Sequence, residues 1–303
     1  MQFQLHILGT NSALPMKHRN PSAHLLNACE RSFLIDCGEG TQMQLQKFEL
    51  KSSKIEKIFI SHLHGDHYFG LIGLISSYHL YRRKSPLEIY GPPTLQNIIN
   101  IQLKASNTQL SFDLIFHEID DDFQGIIFED HRFIIKTFPL KHRIQTQGYL
   151  FIQKQGLRRL NPDFVATHKI PNHAFENIKK GEDYIDELGI IHKNQEITLD
   201  PKPAKSYAYC SDTAFDEAVA DYVKGVDVLY HEATFADDNA QFAAEKFHST
   251  AKQAAKIANL AQAKKLIIGH FSTRYSTLDV FLNEAQSVFP NTILAKEGLK
   301  IEI

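Results

Sequence analysis

The amino-acid pattern predicts an α/β (α+β) sandwich: two sheets face to face with helices outside. Three observations predict it. Short alternating strands and helical stretches interleave along the chain. Apolar strands in both halves end at polar residues, Asp36 early and Asp212 and His270 late. Each half carries helices of its own, and an apolar sheet face needs such a cover. No repeat at solenoid spacing competes with this reading.

The elements follow in order. Strand patterns open the chain in QFQLHIL, SAHLLN and RSFLID. Between the first two, GTNSALPMKHRNPS is rich in Gly, Pro, Asn and Ser and reads as loop. A CGEG turn follows Asp36, and TQMQLQKF reads as a helix. KIFI is a buried strand, and LIGLISSYHL has helical apolar spacing. LEIY is a strand, and PPTLQNIINIQLKAS a helix opened by Pro, whose missing N–H costs little there. FDLIFHEI, GIIFED, RFIIKTF and QGYLFIQ alternate like strands. From about Gly156 to Gln195 the period weakens, and residues 156–195 are expected to protrude as an insertion from a single domain spanning 1–303. Strands return at KSYAYC, DVLYHEA and KKLIIGHF. Thr250 to Ala261 reads as a helix with Thr250 and Gln253 forming a capping box, and Thr277 to Val288 as the last helix.

Composition excludes some classes. A chain of 303 residues can bury a substantial core. The net charge of −2 decides nothing about nucleic acid, because a local basic patch is compatible with it. Three cysteines without C-x-x-C spacing point to a reducing compartment. The first residues, MQFQLHILGT, read as a strand and lack the basic start and long apolar centre of a signal peptide. No apolar run approaches the ~18 residues of a membrane span. A cytoplasmic protein is expected.

The chemistry concentrates in SHLHGDHYFG. It holds His62, His64, Asp66 and His67 directly after the KIFI strand. His62 and His64 lie two apart, so an extended end points them the same way. Imidazole and carboxylate without thiolate suit zinc, and also iron or manganese. His142, Asp212 and His270, each after a strand, raise the ligand count to seven. Sharing Asp212 between two metals gives each four protein ligands, with a bridging hydroxide completing the set.

These motifs resemble the metallo-β-lactamase superfamily, and more closely the short form of tRNase Z, or ribonuclease Z, the tRNA 3′-processing endonuclease. The resemblance is carried by FLIDCGEGTQMQL, SHLHGDHYFGLIGL, YHEATF and GHFSTRY, by Pro15, Lys17, Arg19 and Asn20 in a PxKxRN pattern, and by His231, Glu232, Ala233 and Thr234 in a HEAT pattern. It spans nearly the whole chain. It implies a four-layer αβ/βα fold with an inserted arm. It implies two zinc ions per subunit, other divalent metals being possible: one on His62, His64, His142 and Asp212, the other on Asp66, His67, Asp212 and His270. Asp36 would brace the ligand loops without ligating. Lys17, Arg19 and Asn20 would meet the substrate. The arm would grip precursor tRNA, and the functional form would be a homodimer.

A phosphodiester is anionic and its alkoxide leaves poorly. Two metals address both problems. Asp66 is placed to take the water's proton, and His248, oriented by Glu232, to protonate the leaving 3′ oxygen. The arm departs from the family, which carries a G-I-P-P-G-P-like run there. This chain has Lys169-Ile170-Pro171-Asn172-His173-Ala174-Phe175 instead, so a divergent grip is expected, with Arg158, Arg159, Lys169, Lys179 and Lys180 as phosphate contacts. Two other readings remain: a hydrolase of this fold acting on another ester, such as a small or cyclic phosphodiester or an arylsulfate, and a non-catalytic RNA-binding relative. The filled ligand positions oppose the latter.

Overall fold

The computed structural model describes residues 3–303. Of the opening stretch read as a strand, residues 1–2 lie outside the described residues. In chain order the first half runs β1 (Phe3–Gly9), β2 (Ala23–Ala28), β3 (Arg31–Ile35), α1 (Thr41–Lys47), β4 (Ile55–Phe59), α2 (Gly65–Tyr68), α3 (Leu71–Leu80), β5 (Leu87–Gly91), α4 (Thr94–Ala105) and β6 (Leu114–Glu118). β7 (Gly125–Glu129), β8 (Phe133–Pro139) and β9 (Gln147–Gln153) follow. Then come β10 (Arg159–Leu160), α5 (Pro162–Thr167), α6 (Ala174–Lys180), β11 (Tyr184–Ile185), β12 (Ile191–His192), α7 (Asn194–Ile197) and β13 (Thr198–Leu199). The chain closes with β14 (Ser206–Cys210), α8 (Ala218–Tyr222), β15 (Val228–Glu232), α9 (Ala240–Glu245), α10 (Ala251–Leu260), β16 (Lys265–Gly269), α11 (Asp279–Gln286), β17 (Thr292–Leu294) and β18 (Lys300–Glu302).

Two seven-stranded sheets carry the structure, ordered β18-β1-β2-β3-β4-β5-β6 and β17-β16-β15-β14-β9-β8-β7. β3 to β6 pair in parallel, as do β14 to β17. Parallel strands need crossover helices, which is why α3, α4, α10 and α11 sit between them in sequence. Phe33, Phe59, Tyr149 and Phe151 are fully buried, with ring centroids 5.3–6.2 Å apart in the contacts between them. The Thr250–Gln253 capping box forms with both of its hydrogen bonds. Asp212 caps no helix, because α8 begins only at Ala218.

The chain divides into two compact units. The second is Glu129–Ile134 with Ile152–Lys205, and the first is the rest. The second has a small core of its own: Ile178, Tyr184 and Ile197, against which Leu160, Phe164, Ile170 and Ala174 pack. Its cations are largely spoken for. Arg158 pairs with Asp200 at 2.6 Å, Lys180 with Glu176 at 2.6 Å and Lys193 with Asp183 at 2.8 Å. Arg159 donates to the Asp200 carbonyl at 3.0 Å.

Candidate active site

The expected site residues gather at strand ends of both sheets, the edge where parallel strands place their chemistry. Asp36 follows β3, His62 and His64 follow β4, His142 follows β8, Asp212 follows β14, Glu232 ends β15 and His270 follows β16. Register aligns the second sheet: Cys210 pairs with His231, and Glu232 with Gly269. Asp36 (φ 54°) and His270 (φ 63°) adopt the left-handed backbone, which turns each side chain off its strand. That conformation costs a non-glycine residue about 1–2 kcal/mol, and such strain clusters at functional sites. Asp66 and His67 come from α2, which lies hard against the turn after β3. Cys37 N–H donates to the His67 carbonyl at 2.7 Å, and Gly70 N–H to the Cys37 carbonyl at 2.9 Å. A Cβ at Gly70 would stand 2.2 Å from the Gly38 carbonyl oxygen, so the approach requires glycine.

All seven expected ligands converge. His62 Nε2 and His142 Nε2 lie 3.0 and 3.2 Å from His64 Nδ1. Both face Asp212 Oδ2, at 3.7 and 3.9 Å. The other oxygen, Asp212 Oδ1, faces His67 Nε2 at 3.4 Å and His270 Nε2 at 3.2 Å. Asp66 Oδ2 completes that side, 3.5 Å from His67 Nε2 and 3.3 Å from His270 Nε2. One buried carboxylate thus serves two clusters of imidazoles with its two oxygens.

The arrangement fits divalent cations. Asp212 Oδ1 and His67 Nε2 are buried and lack any hydrogen-bond partner, since their mutual approach has no hydrogen-bond geometry. Asp36, Asp66, Asp212 and Glu232 are all buried or nearly so, and among the described residues none pairs with Lys or Arg. Burial disfavours a charged His67, yet Asp212, Asp66 and Asp36 together hold its pKa well above the ordinary value. Three carboxylates around one buried imidazole make a hole for positive charge.

Around the ligands stands a bracing layer. Asp36 Oδ2 accepts from His67 Nδ1 at 2.7 Å and from the Tyr209 hydroxyl at 2.7 Å. His142 Nδ1 donates to the Phe247 carbonyl at 2.9 Å, which leaves Nε2 for the interior. Glu232 Oε1 accepts from His248 Nδ1 at 3.0 Å and from Ser249 N–H at 2.9 Å. Burial alone would depress the His248 pKa, but the Glu232 charge and hydrogen bond outweigh it and hold it up to about 9. His248 stands 4.0 Å from Asp212 Oδ2 and lines the open cleft.

That cleft, about 590 Å³, is lined by Leu14, Pro15, Phe69 and Phe242 and by three cations, Arg143, Lys246 and Arg274. Arg274 lies over the Phe242 ring at 4.4 Å. Sequence reasoning missed all five of Phe69, Phe242, Arg143, Lys246 and Arg274. The signals were weak: Phe69 and Arg274 lie inside the motifs SHLHGDHYFG and GHFSTRY, Arg143 follows His142, and Lys246 precedes His248 by two. The PxKxRN loop splits in role. Lys17 is exposed. Arg19 donates to the Tyr275 carbonyl at 3.1 Å, and Asn20 is held by Glu297 through its backbone N–H and, at 2.9 Å, its side chain.

The fold and site define a metallo-β-lactamase-fold protein whose His/Asp clusters fit divalent cations. Residues 193–271 match the family described as Beta-lactamase superfamily domain, and residues 3–158 the one described as Anti-Pycsar protein Apyc1. The human tRNase Z short-form structure superposes with TM-score 0.73 at 30% identity, over 98% of each chain. The Bacillus subtilis metallo-beta-lactamase fold protein YhfI, at 18% identity and TM-score 0.69, shares the fold. Ribonuclease Z of Bacteroides fragilis is 44% identical over 100% of this chain and 99% of its own. That of Cytophaga hutchinsonii is 46% identical over 98% of this chain and 95% of its own. The chain belongs to the ribonuclease Z family.

Proposed function

We propose that this enzyme is a zinc-dependent endoribonuclease that removes 3′ trailers from precursor tRNA. It cuts just after the discriminator nucleotide and leaves a 3′-OH on the tRNA. The observation that carries the reading is Asp212, whose two oxygens face two imidazole clusters with the His248–Glu232 pair 4.0 Å away. One cation would rest on His62, His64, His142 and Asp212, and a second on Asp66, His67, Asp212 and His270. When bound, two such ions supply charge withdrawal from the phosphoryl oxygens and a water acidic enough to ionise near neutral pH.

The chain's own groups do the rest. Asp66, held by Ala13 N–H at 2.7 Å, accepts the proton of the attacking water. His248, charged beside Glu232, gives its proton to O3′ as the P–O3′ bond breaks. Arg143, Lys246 and Arg274 hold backbone phosphates, and Phe69 and Phe242 offer faces on which bases stack. Lys17 takes a further phosphate, while Arg19 and Asn20 fix the loop that presents it. Residues 156–195 form the arm that grips the tRNA. With Arg158 and Lys180 already paired, that grip relies less on phosphate contacts than a row of free cations would.

The working form is a homodimer, one copy's arm serving the other's cleft, as the family resemblance implies. Among the described residues, no helix is long and apolar enough to cross a membrane. A cytoplasmic setting agrees with the substrate and with three buried cysteines spaced without a C-x-x-C pair. The test is incubation of zinc-loaded protein with a 3′-extended precursor tRNA and mapping of the cut. A single cleavage after the discriminator, with 3′-OH and 5′-phosphate ends, is expected. An intact trailer alongside rapid hydrolysis of an arylsulfate or small phosphodiester would overturn the assignment in favour of another ester.

A further inference from the structure

We propose that the Ser61 hydroxyl is a pivot coupling the two halves of the cation site, a positioning residue for His62 and His67 at once. The inference rests on the cation reading above. Ser61 is fully buried directly ahead of His62. Its backbone is pinned at both ends: its N–H donates to Asp36 Oδ1 at 2.8 Å, and its carbonyl accepts from Gln147 N–H at 3.0 Å. Its Oγ has three partners within 3.0 Å: Asp36 Oδ2 at 2.9 Å, His62 Nδ1 at 3.0 Å and Ser211 Oγ at 3.0 Å. His67 Nδ1 is farther, at 3.4 Å, and is bonded to Asp36 Oδ2 at 2.7 Å.

A serine hydroxyl has one proton and two lone pairs. Asp36 is a carboxylate and can only accept, so the proton goes there. Both lone pairs must then be filled by donors, His62 Nδ1–H and Ser211 Oγ–H. Asp36 likewise takes His67 Nδ1–H. The hydroxyl thereby orients the His62 ring directly and the His67 ring through the Asp36 oxygen they share, each with Nε2 turned toward Asp212. His62 and His67 belong to different cation clusters. Ser211 precedes Asp212 on the opposite sheet, so the pivot also ties the shared carboxylate's loop to the ligand loop.

Ser61→Ala strips His62 Nδ1 and Ser211 Oγ of their partner and takes one donor from the Asp36 oxygen that holds His67. Ser211 touches only Ser61 among these groups, so Ser211→Ala leaves the histidines' bonds in place. Zinc is titrated against a chromophoric chelator for wild type and both variants, and the metal-free proteins are melted. Ser61→Ala is expected to weaken both zinc equivalents, by ~10–100-fold each, with a cooperative metal-free melt. Ser211→Ala is expected to weaken them less. A loss confined to one equivalent, no loss, or an equal loss in Ser211→Ala would overturn the pivot. Wild type that binds no zinc would take down the cation reading itself. If Ser61→Ala does not fold, long-range ¹H–¹⁵N spectra of zinc-loaded wild type decide. Slowly exchanging Nδ1 protons are expected on both His62 and His67, and an Nε2 proton on either would overturn the proposal.

Discussion

On the first sheet, the buried Asp36 carboxylate and Ser61 hydroxyl hold His62 and His67. On the second, the buried Glu232 carboxylate and Thr234 hydroxyl hold His270 and His248. Thr234 Oγ1 donates to Glu232 Oε2 at 2.8 Å, lies 2.9 Å from His270 Nδ1 and sits 3.2 Å from His248 Nδ1. Each half therefore uses one acid, one hydroxyl and two imidazoles. The outcomes differ because of what each ring's far nitrogen meets. In the first half both rings turn Nε2 toward Asp212. In the second only His270 does so, and His248 opens onto the cleft. A carboxylate behind a ring committed to Asp212 orients that ring. Acids hold up the pKa of both His67 and His248, the latter to about 9, but only His248 opens onto the cleft, where a proton can pass to a substrate.

The comparison can be broken at several depths. Asp212→Ala removes the group both halves share. Cleavage is expected to fall by about 10³-fold or more, since several kcal/mol of charge stabilisation go at 1.36 kcal/mol per decade. Zinc content should drop for both equivalents by elemental analysis. Retention of one full equivalent would mean that the halves do not share the carboxylate. His248→Ala should cut turnover by ~10²–10⁴ while zinc content stays at wild-type level. Unchanged turnover would remove the uncommitted ring from the chemistry.

Thr234→Val sharpens the contrast with the Ser61 pivot. Only one ligand ring leans on Thr234, so one zinc equivalent should weaken ~10–100-fold in a chelator titration. Weakening of both equivalents would erase the difference between the halves.

The smallest effect concerns the seam between the sheets. His24 on β2 is fully buried, with its Nδ1 2.8 Å from the Tyr207 hydroxyl of β14 and its Nε2 unpartnered. Burial drives its pKa down to about 3. The folded state therefore refuses a proton that the unfolded state takes up below about pH 6.5. Stability from this group is present above that pH and is lost as the pH falls toward about 3, at up to about 1.4 kcal/mol per unit. Urea unfolding of wild type and His24→Gln between pH 6.5 and 5 should show the shallower slope in the variant. Equal slopes would mean that water reaches the seam.

Much of this was legible from spacing. The H-x-H-x-D-H run and the polar residues closing apolar strands gave the seven groups that converge, because a strand delivers its last residues rigidly. The Thr250–Gln253 box is likewise a local rule obeyed locally. The bracing hydroxyls were not legible. Ser61 meets Ser211 across 150 positions, and no periodicity encodes that. The cations of the cleft were hidden because Arg143, Lys246 and Arg274 look like any solvated charge until the loops fold together. Residues 156–195 looked patternless because their strands are two residues long, too short for alternation to register.

Asp212 lies far along the chain from His62, and this has a consequence during synthesis. A nascent chain that has released only β1 to β6 displays His62, His64, Asp66 and His67 but not His142, Asp212 or His270. With the proposed ligand set incomplete, it would hold an ion only loosely, because the free energy of ion binding is free energy of folding. On the proposed ligand set, ion retention would mark a completed chain, and a truncated product would lack the groups to close around stray metal.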